Sequence, residues 1–358
     1  MRLQLIVVLG ALAALGVAPA WAQEIEERET GDGAVDASLG IYADDDETTV
    51  ITSLVDGELK LPVPAVMDAH VLVDAVSSAS VDVVSAATPV WTENRIELGA
   101  NIAARVADMD VSAGYLTSGE NDWRSHTVLV GLRREMFQKN TTLSLGYAFT
   151  DNQIGRAYDP NFQRELVVHG AELGLSQLLD KKTLVSATYT LQRSDGYHAS
   201  PYRFVTTATG LASPELHPDD RTRHGVTLRM LRAIGDAASI DVQYRLYADG
   251  WGILSHTGTV AWTRELGESV DVRLRARGYY QGAADFYRET YEMPMRFMSA
   301  DRELGTFWDA GGGAKLSWTG ERLALDLKLD GIYYRFLDFA RLEGRVALVT
   351  SGGIRWSW

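Results

Sequence analysis

The chain has 358 residues, with 34 Lys and Arg against 48 Asp and Glu, a formal net charge of −14 and no cysteine. Without cysteine, the chain has no disulfide scaffold, thiolate zinc site, iron–sulfur cluster or cysteine nucleophile. The acidic balance and the lack of any Lys/Arg-rich run argue against nucleic acid as a partner. The length is compatible with a single all-β barrel, because such barrels often use about 200 residues or more as one domain.

Residues 1–22 have the three parts of a secretory signal peptide. A positive start is followed by an apolar stretch over residues 3–17 and by the cleavage-like motif Ala20-Trp21-Ala22. The pattern predicts export, with a mature chain from Gln23 and a short acidic lead over residues 23–32. The apolar stretch is shorter than the ~20 residues that a spanning helix needs, and any integral membrane state is therefore expected to be a β-barrel.

The remaining chain has a period of two. Over residues 238–249, apolar and polar side chains alternate without a break. One face has Ile240, Val242, Tyr244, Leu246 and Ala248, and the other has Ser239, Asp241, Gln243, Arg245, Tyr247 and Asp249. Such alternation predicts strands with one apolar and one wet face. By itself it does not distinguish a secreted sandwich from a membrane barrel.

The number of strands and the lengths of their connections favour the barrel. Strands are predicted near residues 33–43, 48–61, 66–75, 92–106, 109–118, 124–136, 141–150, 165–178, 183–194, 222–233, 238–248, 253–265, 270–281, 303–318, 322–335 and 345–358. Short turns alternate with connections that are usually longer, of which 195–221 and 282–302 are the longest. We therefore predict that residues 33–358 form an all-β, transmembrane, antiparallel up-and-down barrel of about 16 strands in a Gram-negative outer membrane, with short periplasmic turns and longer extracellular loops.

The C-terminal strand carries a second signal of this class. Ile354, Trp356 and Trp358 fall on one face, so the chain ends on an outward aromatic residue. Outer-membrane barrels commonly end in this way, and the barrel-insertion machinery reads such a strand. We predict that this machinery and the lipid of the outer membrane are partners. Aromatic residues near other strand ends fit a membrane interface; they are Tyr147, Tyr189, Trp262, Tyr280 and Tyr333.

A family resemblance rests on an ordered set of short stretches. These are Asp74–Ser80, Asp82–Pro89, Gly119–Trp123, Gly174–Leu178, Ser200–Arg203, Arg221–Arg223, Tyr244–Trp251, Ala284–Tyr287 and Asp301–Leu304. Together they resemble bacterial proteins known only as the domain of unknown function 3570 family. The resemblance covers nearly the whole mature chain. It implies an outer-membrane barrel without established activity, an association with an envelope redox or export assembly, and no catalytic residues to transfer.

Charged residues fall on the polar faces of several strands and are candidate pore-lining residues. The basic group with its acids is Arg223, Arg229, Asp241, Arg245, Asp271, Arg273, Arg275 and Arg277, whereas Asp68, Asp74, Asp326 and Asp330 with Lys328 form an acidic group. Facing walls of opposite charge would bias which solutes pass. The alternative is a lumen filled by mutual salt bridges, and the sequence leaves both open.

Two further interpretations concern the loops and the histidines. Loops 195–221 and 282–302 are rich in polar residues and methionine, which predicts a docking surface for an envelope protein. They show no tight metal-ligand spacing, so no metal or cofactor is predicted. An outer-membrane hydrolase would need a Ser/His pair, and no G-x-S-x-G motif occurs. The prediction is a porin-like channel for small polar solutes or ions; the alternative is a structural or docking component with a closed lumen.

Overall fold

The computed structural model describes residues 32–78, 91–157, 159–210 and 212–358, with only the backbone of Trp91 and Thr92. The predicted signal peptide, nearly all of the acidic lead and the family stretch from Asp82 to Pro89 lie outside the described residues. Within the described ranges, no helix is long and apolar enough to span a membrane.

Sixteen strands form one closed antiparallel barrel in which chain neighbours pair and the last strand returns to the first. The strands are β1 (Gly33–Asp44), β2 (Thr48–Lys60), β3 (Ala65–Ser78), β4 (Trp91–Val106), β5 (Met109–Gly119), β6 (Trp123–Met136), β7 (Thr141–Ile154), β8 (Arg164–Asp180), β9 (Thr183–Gly196), β12 (Asp220–Ile234), β13 (Ala238–Asp249), β14 (Leu254–Glu265), β15 (Val270–Gln281), β16 (Phe307–Thr319), β17 (Leu323–Phe336) and β18 (Gly344–Ser357). The short strands β10 (Phe204–Thr206) and β11 (Ala212–Pro214) form a separate hairpin. The predicted all-β, antiparallel up-and-down barrel and its strand number are confirmed.

One strand begins later than the sequence pattern predicts. The strand predicted from residue 303 starts at Phe307, and a short 3-10 helix occupies Arg302–Leu304. Asp301 caps this helix by accepting a hydrogen bond from the Glu303 amide at 3.1 Å, and Arg302 and Leu304 are both buried. Because Asp301 caps this turn and two of its side chains are buried, residues 302–304 form a helical turn instead of extending the strand.

The period-two pattern separates two faces of the barrel wall. On β17 the outer face carries Leu325, Leu327 and Leu329, which are exposed, whereas Asp330 on the inner face is buried. The same division holds around the barrel, with large apolar side chains outside and most charged side chains inside. An exposed apolar outer face is unfavourable in water, and it is the face that a membrane barrel presents to lipid.

The barrel closes where the two chain ends meet. The Gly33 amide donates to the Trp358 carbonyl at 3.1 Å, and the Trp358 amide donates to the Gly33 carbonyl at 3.0 Å. The Trp358 ring lies so close to Gly33 that a Cβ there would be 2.5 Å from it. Ile354, Trp356 and Trp358 are all exposed on the outer face. Their recognition by insertion machinery stays a prediction.

The two ends of the barrel differ in their connections. The end that contains Gly33 and Trp358, here called the turn end, has connections of two to four residues. They are residues 61–64, 107–108, 137–140, 181–182, 235–237, 266–269 and 320–322. The described connections of the opposite loop end are residues 45–47, 120–122, 155–163, 197–219, 250–253, 282–306 and 337–343. We call residues 197–219 the first loop and residues 282–306 the second loop.

Candidate functional site: the lumen and its loop cover

The first and second loops pair with each other through their backbones. The amides of Leu216 and Met298 donate to each other's carbonyls at 3.0 and 2.7 Å. Val205, Tyr291, Met298 and Ala300 form a buried apolar cluster between the two loops. The two loops therefore fold as one layer.

A buried cluster of charged side chains joins the same two loops. The Arg203 guanidinium lies 2.5 Å from the Asp301 carboxylate. Glu215 accepts hydrogen bonds from the Ser299 hydroxyl at 2.7 Å and from the Ala300 amide at 3.1 Å. We call Arg203, Glu215, His217 and Asp301 the loop cluster. Burial alone would raise the pKa of Glu215, but Arg203 and His217 outweigh it and hold that pKa below its ordinary value.

The second loop reaches three other connections of the loop end. Arg302 forms an ion pair with Asp46 in connection 45–47, at 2.6 Å. Glu289 accepts hydrogen bonds from the backbone of connection 337–343, at 2.9 and 3.2 Å. The Asp285 amide donates to the carbonyl of Trp251, in connection 250–253, at 2.9 Å.

The first loop reaches the other side of the rim. The Tyr202 hydroxyl donates to the Asp122 carboxylate in connection 120–122, and Arg156 donates to the Pro201 carbonyl at 2.8 Å. In strand order, the first loop leaves the barrel opposite connection 45–47, which the second loop contacts. Together the paired loops bridge the mouth of the barrel from one side to the other.

A serine–histidine contact holds the start of the first loop. The Ser194 hydroxyl and His198 Nε2 are 2.7 Å apart, and His198 Nδ1 lies 3.0 Å from the Gly196 carbonyl. Both side chains are buried, and Trp251 packs edge-on against the His198 ring. The pair has the contact that a hydrolase requires, but its burial under the loop makes it an anchor between β9 and the first loop.

The charged residues predicted to line a pore all lie on the inner face of the barrel, and most are paired with neighbours on nearby strands. Arg229 binds Asp241 through two hydrogen bonds of 2.9 and 2.8 Å, and Arg273 reaches the same carboxylate at 2.9 Å. Arg277 binds Asp309 on β16. We call Arg229, Arg273, Arg275 and Arg277 the arginine wall.

The arginine wall presents its positive groups to the lumen. The side chains of Arg229, Arg273, Arg275 and Arg277 are 47, 39, 33 and 30% exposed. Their partners Asp241, Asp330 and Asp309 are only 10, 4 and 2% exposed. The carboxylates are therefore less accessible than their arginine partners, and the accessible charge of this wall is mainly positive.

Two acids that the sequence assigned to an opposing acidic wall belong instead to the basic side. Asp330 contacts Arg275 at 2.7 Å, and Asp326 contacts Lys315 at 3.7 Å. Gly313 on the intervening strand leaves room for the first contact, because a Cβ there would be 2.0 Å from the Asp330 carboxylate. The sequence pattern could not predict this contact. It joins side chains two strands apart, so it depends on the register of both strand pairs and on the small size of the residue on the strand between them.

The remaining predicted residues of the basic group have other surroundings. Arg223 donates to the Gln192 side chain at 2.9 Å and to the Ser194 hydroxyl at 3.2 Å. Within the described part of the chain, Arg245 and Asp271 form no ion pair. Arg245 therefore adds a positive charge to this side of the lumen, and Asp271 adds a negative one.

The inner face opposite the arginine wall is more tightly packed. Asp68 accepts a hydrogen bond from Asn101 at 2.9 Å, and Asp74 accepts one from Thr52 at 2.6 Å. These acids are buried, as are Leu54 and Leu72 on the same inner surface. Because β3 lies opposite β13 in strand order, these buried acids lie across the lumen from the arginine wall.

An acidic cluster at the loop end is the one group of described residues with a donor set for a metal ion. Carboxylate oxygens of Glu93, Glu120 and Asp122 lie within 4.8 Å of one another. Burial and then the charge of Glu93 raise the pKa of Glu120 to about 8. Glu120 is therefore protonated at neutral pH, a state that favours a shared hydrogen bond over binding of a hard cation.

Comparison with known proteins gives a family and a fold. The family model described as "Protein of unknown function (DUF3570)" matches residues 81–165 and 156–347. No curated protein matches the chain. A solved structure titled "Bacterial polysaccharide outer membrane secretin" aligns with a TM-score of 0.56 and 8% identity, over 93% of this chain and 100% of that one. CdiB from Acinetobacter baumannii aligns with a TM-score of 0.57 and 8% identity, over 91% of this chain and 60% of that one. These likenesses concern the fold alone.

Proposed function

Since the chain belongs to the DUF3570 family, whose function is unknown, we propose from its geometry that it is an outer-membrane channel for small polar solutes, with a preference for anions. Its predicted export signal, its apolar outer face and the outer-membrane proteins that share its fold support this location. The proposed orientation places the turn end in the periplasm and the loop end outside the cell.

The observation that carries the proposal is the arginine wall. Its arginine side chains are 30 to 47% exposed, while the side chains of the paired aspartates are at most 10% exposed. A half-exposed ion pair contributes little stability to a protein. If these pairs served to stabilise a closed, packed interior, both members of each pair would therefore be buried. A row of accessible arginines along one side instead attracts anions at the place where a solute would pass.

The paired loops act as the gate of this channel. They bridge the mouth through the backbone pair Leu216–Met298 and the contact of Arg203 with Asp301. Both contacts join one loop to the other, so separating the loops opens the mouth without breaking a barrel strand. When the gate opens, the groups that form these two contacts bind water instead of each other.

A reversible cross-link tests both the channel and its gate. The chain has no cysteine, and Leu216 and Met298 are a hydrogen-bonded antiparallel pair, whose Cα separation of about 5.5 Å suits a disulfide. The variant Leu216→Cys/Met298→Cys is refolded as the mature chain and recorded in a planar bilayer. We expect no or few openings when it is oxidised and wild-type openings after reduction.

Two results would count against the proposal. Equal conductance of the oxidised and reduced forms would contradict gating by the loops. Silence of the wild-type and reduced proteins, with the barrel folded as judged by heat-modifiable migration, would refute the channel and favour the docking component with a closed lumen. Each single-cysteine variant is the matched control, because it changes the same side chain but forms no intramolecular bond.

A further inference from the structure

Four of the seven histidines lie on the outer face of the barrel, and each contacts a tyrosine there. The hydroxyl–Nδ1 distances are 2.7 Å for Tyr115–His126, 2.8 Å for Tyr147–His169, 2.8 Å for Tyr189–His224 and 2.7 Å for Tyr244–His256. The other three histidines face the lumen or the loops. We call these four contacts the Tyr–His belt.

The belt has a regular position in the fold. In every pair, the histidine stands opposite the residue two places after the tyrosine, as His126 does opposite Thr117. The pairs occupy four consecutive hairpins, β5–β6, β7–β8, β9–β12 and β13–β14, close to the loop end of each. Neighbouring pairs are two strands apart, or about 10 Å. The belt therefore covers half of the circumference at one height.

Because each tyrosine contacts Nδ1, the second imidazole nitrogen, Nε2, needs a hydrogen-bond partner of its own. When the hydroxyl donates to Nδ1, the hydrogen of the neutral ring is on Nε2. Among the described residues, none accepts a hydrogen bond from these four Nε2 atoms. An unsatisfied N–H next to hydrocarbon is strongly unfavourable. In this tautomer the belt therefore requires acceptor oxygens at its own height.

An apolar groove lies beside the belt on the side toward the turn end. It has a volume of about 430 Å³ and passes between β8, β9, β12 and β13. Its outward lining is Leu175, Val185, Ala187, Leu228, Met230, Val242 and Tyr244. Tyr244 belongs to both the groove and the belt, and the small Ala187 deepens the groove two residues from Tyr189. An elongated apolar group in the groove would bring its polar end to the belt.

From this arrangement we infer that the Tyr–His belt is a binding site for phosphate-bearing membrane lipids, whose phosphate oxygens accept hydrogen bonds from the histidine Nε2 atoms while an acyl chain lies along the groove. The inference rests on the proposed membrane placement and not on conductance. The lipid fixes the height of the loop end relative to the bilayer, which keeps the paired loops in water.

The test uses the full mature chain in maltoside micelles, which contain no phosphate, with nitrogen-15 in its histidines. Dihexanoyl phosphatidic acid is titrated while the imidazole resonances are recorded. We expect shifts at His126, His169, His224 and His256, and unchanged resonances at His70, His198 and His217, which serve as internal controls. Replacing the tyrosine of one pair, in Tyr189→Phe, keeps the His224 resonance as the reporter and should weaken binding at that pair about fivefold, as expected for loss of the one hydrogen bond that holds the ring.

Parallel titrations distinguish the sources of the signal. Dihexanoyl glycerol, which has the chains but no phosphate, should leave the four resonances unchanged; an equal response would overturn the phosphate assignment. Inorganic phosphate should bind more weakly than the lipid, and equal binding would overturn the lipid assignment. Trp308→Phe is the matched control, because Trp308 lies on the outer face in the next hairpin and contacts Tyr333 and no histidine. Absence of any shift from folded protein would refute the site, whether or not the barrel conducts.

Discussion

Reversing the charge of Arg275 should reduce the anion preference of the channel by about threefold. The 16 strands, about 4.8 Å apart and tilted by about 40°, place the backbone about 16 Å from the barrel axis and the Arg275 guanidinium about 9 Å from it. A unit charge at that distance in water contributes about 0.5 kcal/mol, which salt reduces to about 0.15 kcal/mol at physiological ionic strength. Arg275→Glu changes the charge by two units and acts oppositely on anions and cations, giving about 0.6 kcal/mol in their difference, or a factor of about three.

The assay is the reversal potential of single channels under a salt gradient. The matched control is Arg124→Glu, which makes the same charge change on the outer face of β6 and should leave selectivity unchanged. Folding should survive in Arg275→Glu because Lys328 lies 3.3 Å from the Asp330 carboxylate and still offsets its charge. An open channel with unaltered selectivity would refute the role of the arginine wall, and a barrel that no longer folds would indicate a packed interior.

Three other changes test separate parts of the structure. The pKa of the Glu120 carboxyl is raised from 4.5 to about 8. The stability that this group contributes to the loop end is therefore complete below about pH 4.5 and is lost as the pH rises through about 8, where the charge of Glu120 meets that of Glu93. Channel opening should increase over that range in the wild type but not in Glu120→Gln. Gly313→Val should destabilise the barrel by about 1–3 kcal/mol, because its side chain would overlap Asp330, and an unchanged midpoint of urea unfolding in micelles would contradict this. Trp358→Ala should lower the amount of folded barrel in the outer membrane of cells while leaving refolding in micelles nearly unaffected; normal insertion in cells would refute the predicted signal.

The architecture could be predicted because the period-two pattern is a direct consequence of the two environments of a barrel wall. Segments such as 238–249 alternate without error because one face meets lipid or core and the other meets a polar lumen. The prediction failed over residues 303–306, where burial of Leu304 and the cap at Asp301 override the apparent alternation. Local pattern therefore predicts strands well where the wall is regular and poorly where a loop folds inward.

The ion pairs and the Tyr–His belt could not be predicted in the same way. The contact of Arg275 with Asp330 crosses a whole strand and depends on the missing side chain of Gly313. The outward positions of Tyr189 and His224 were visible in the sequence, but their contact requires the register of β9 with β12. Sequence pattern gives the face of a residue, whereas its partner depends on pairing that only the closed sheet defines.

The most direct measurement of the central claim is the reversal potential of the wild-type chain, refolded without its predicted signal peptide and recorded in a planar bilayer under a salt gradient. The accessible arginine wall predicts discrete openings with a reversal potential of the sign that anion preference produces. A folded barrel without openings, or one that prefers cations, would contradict the account.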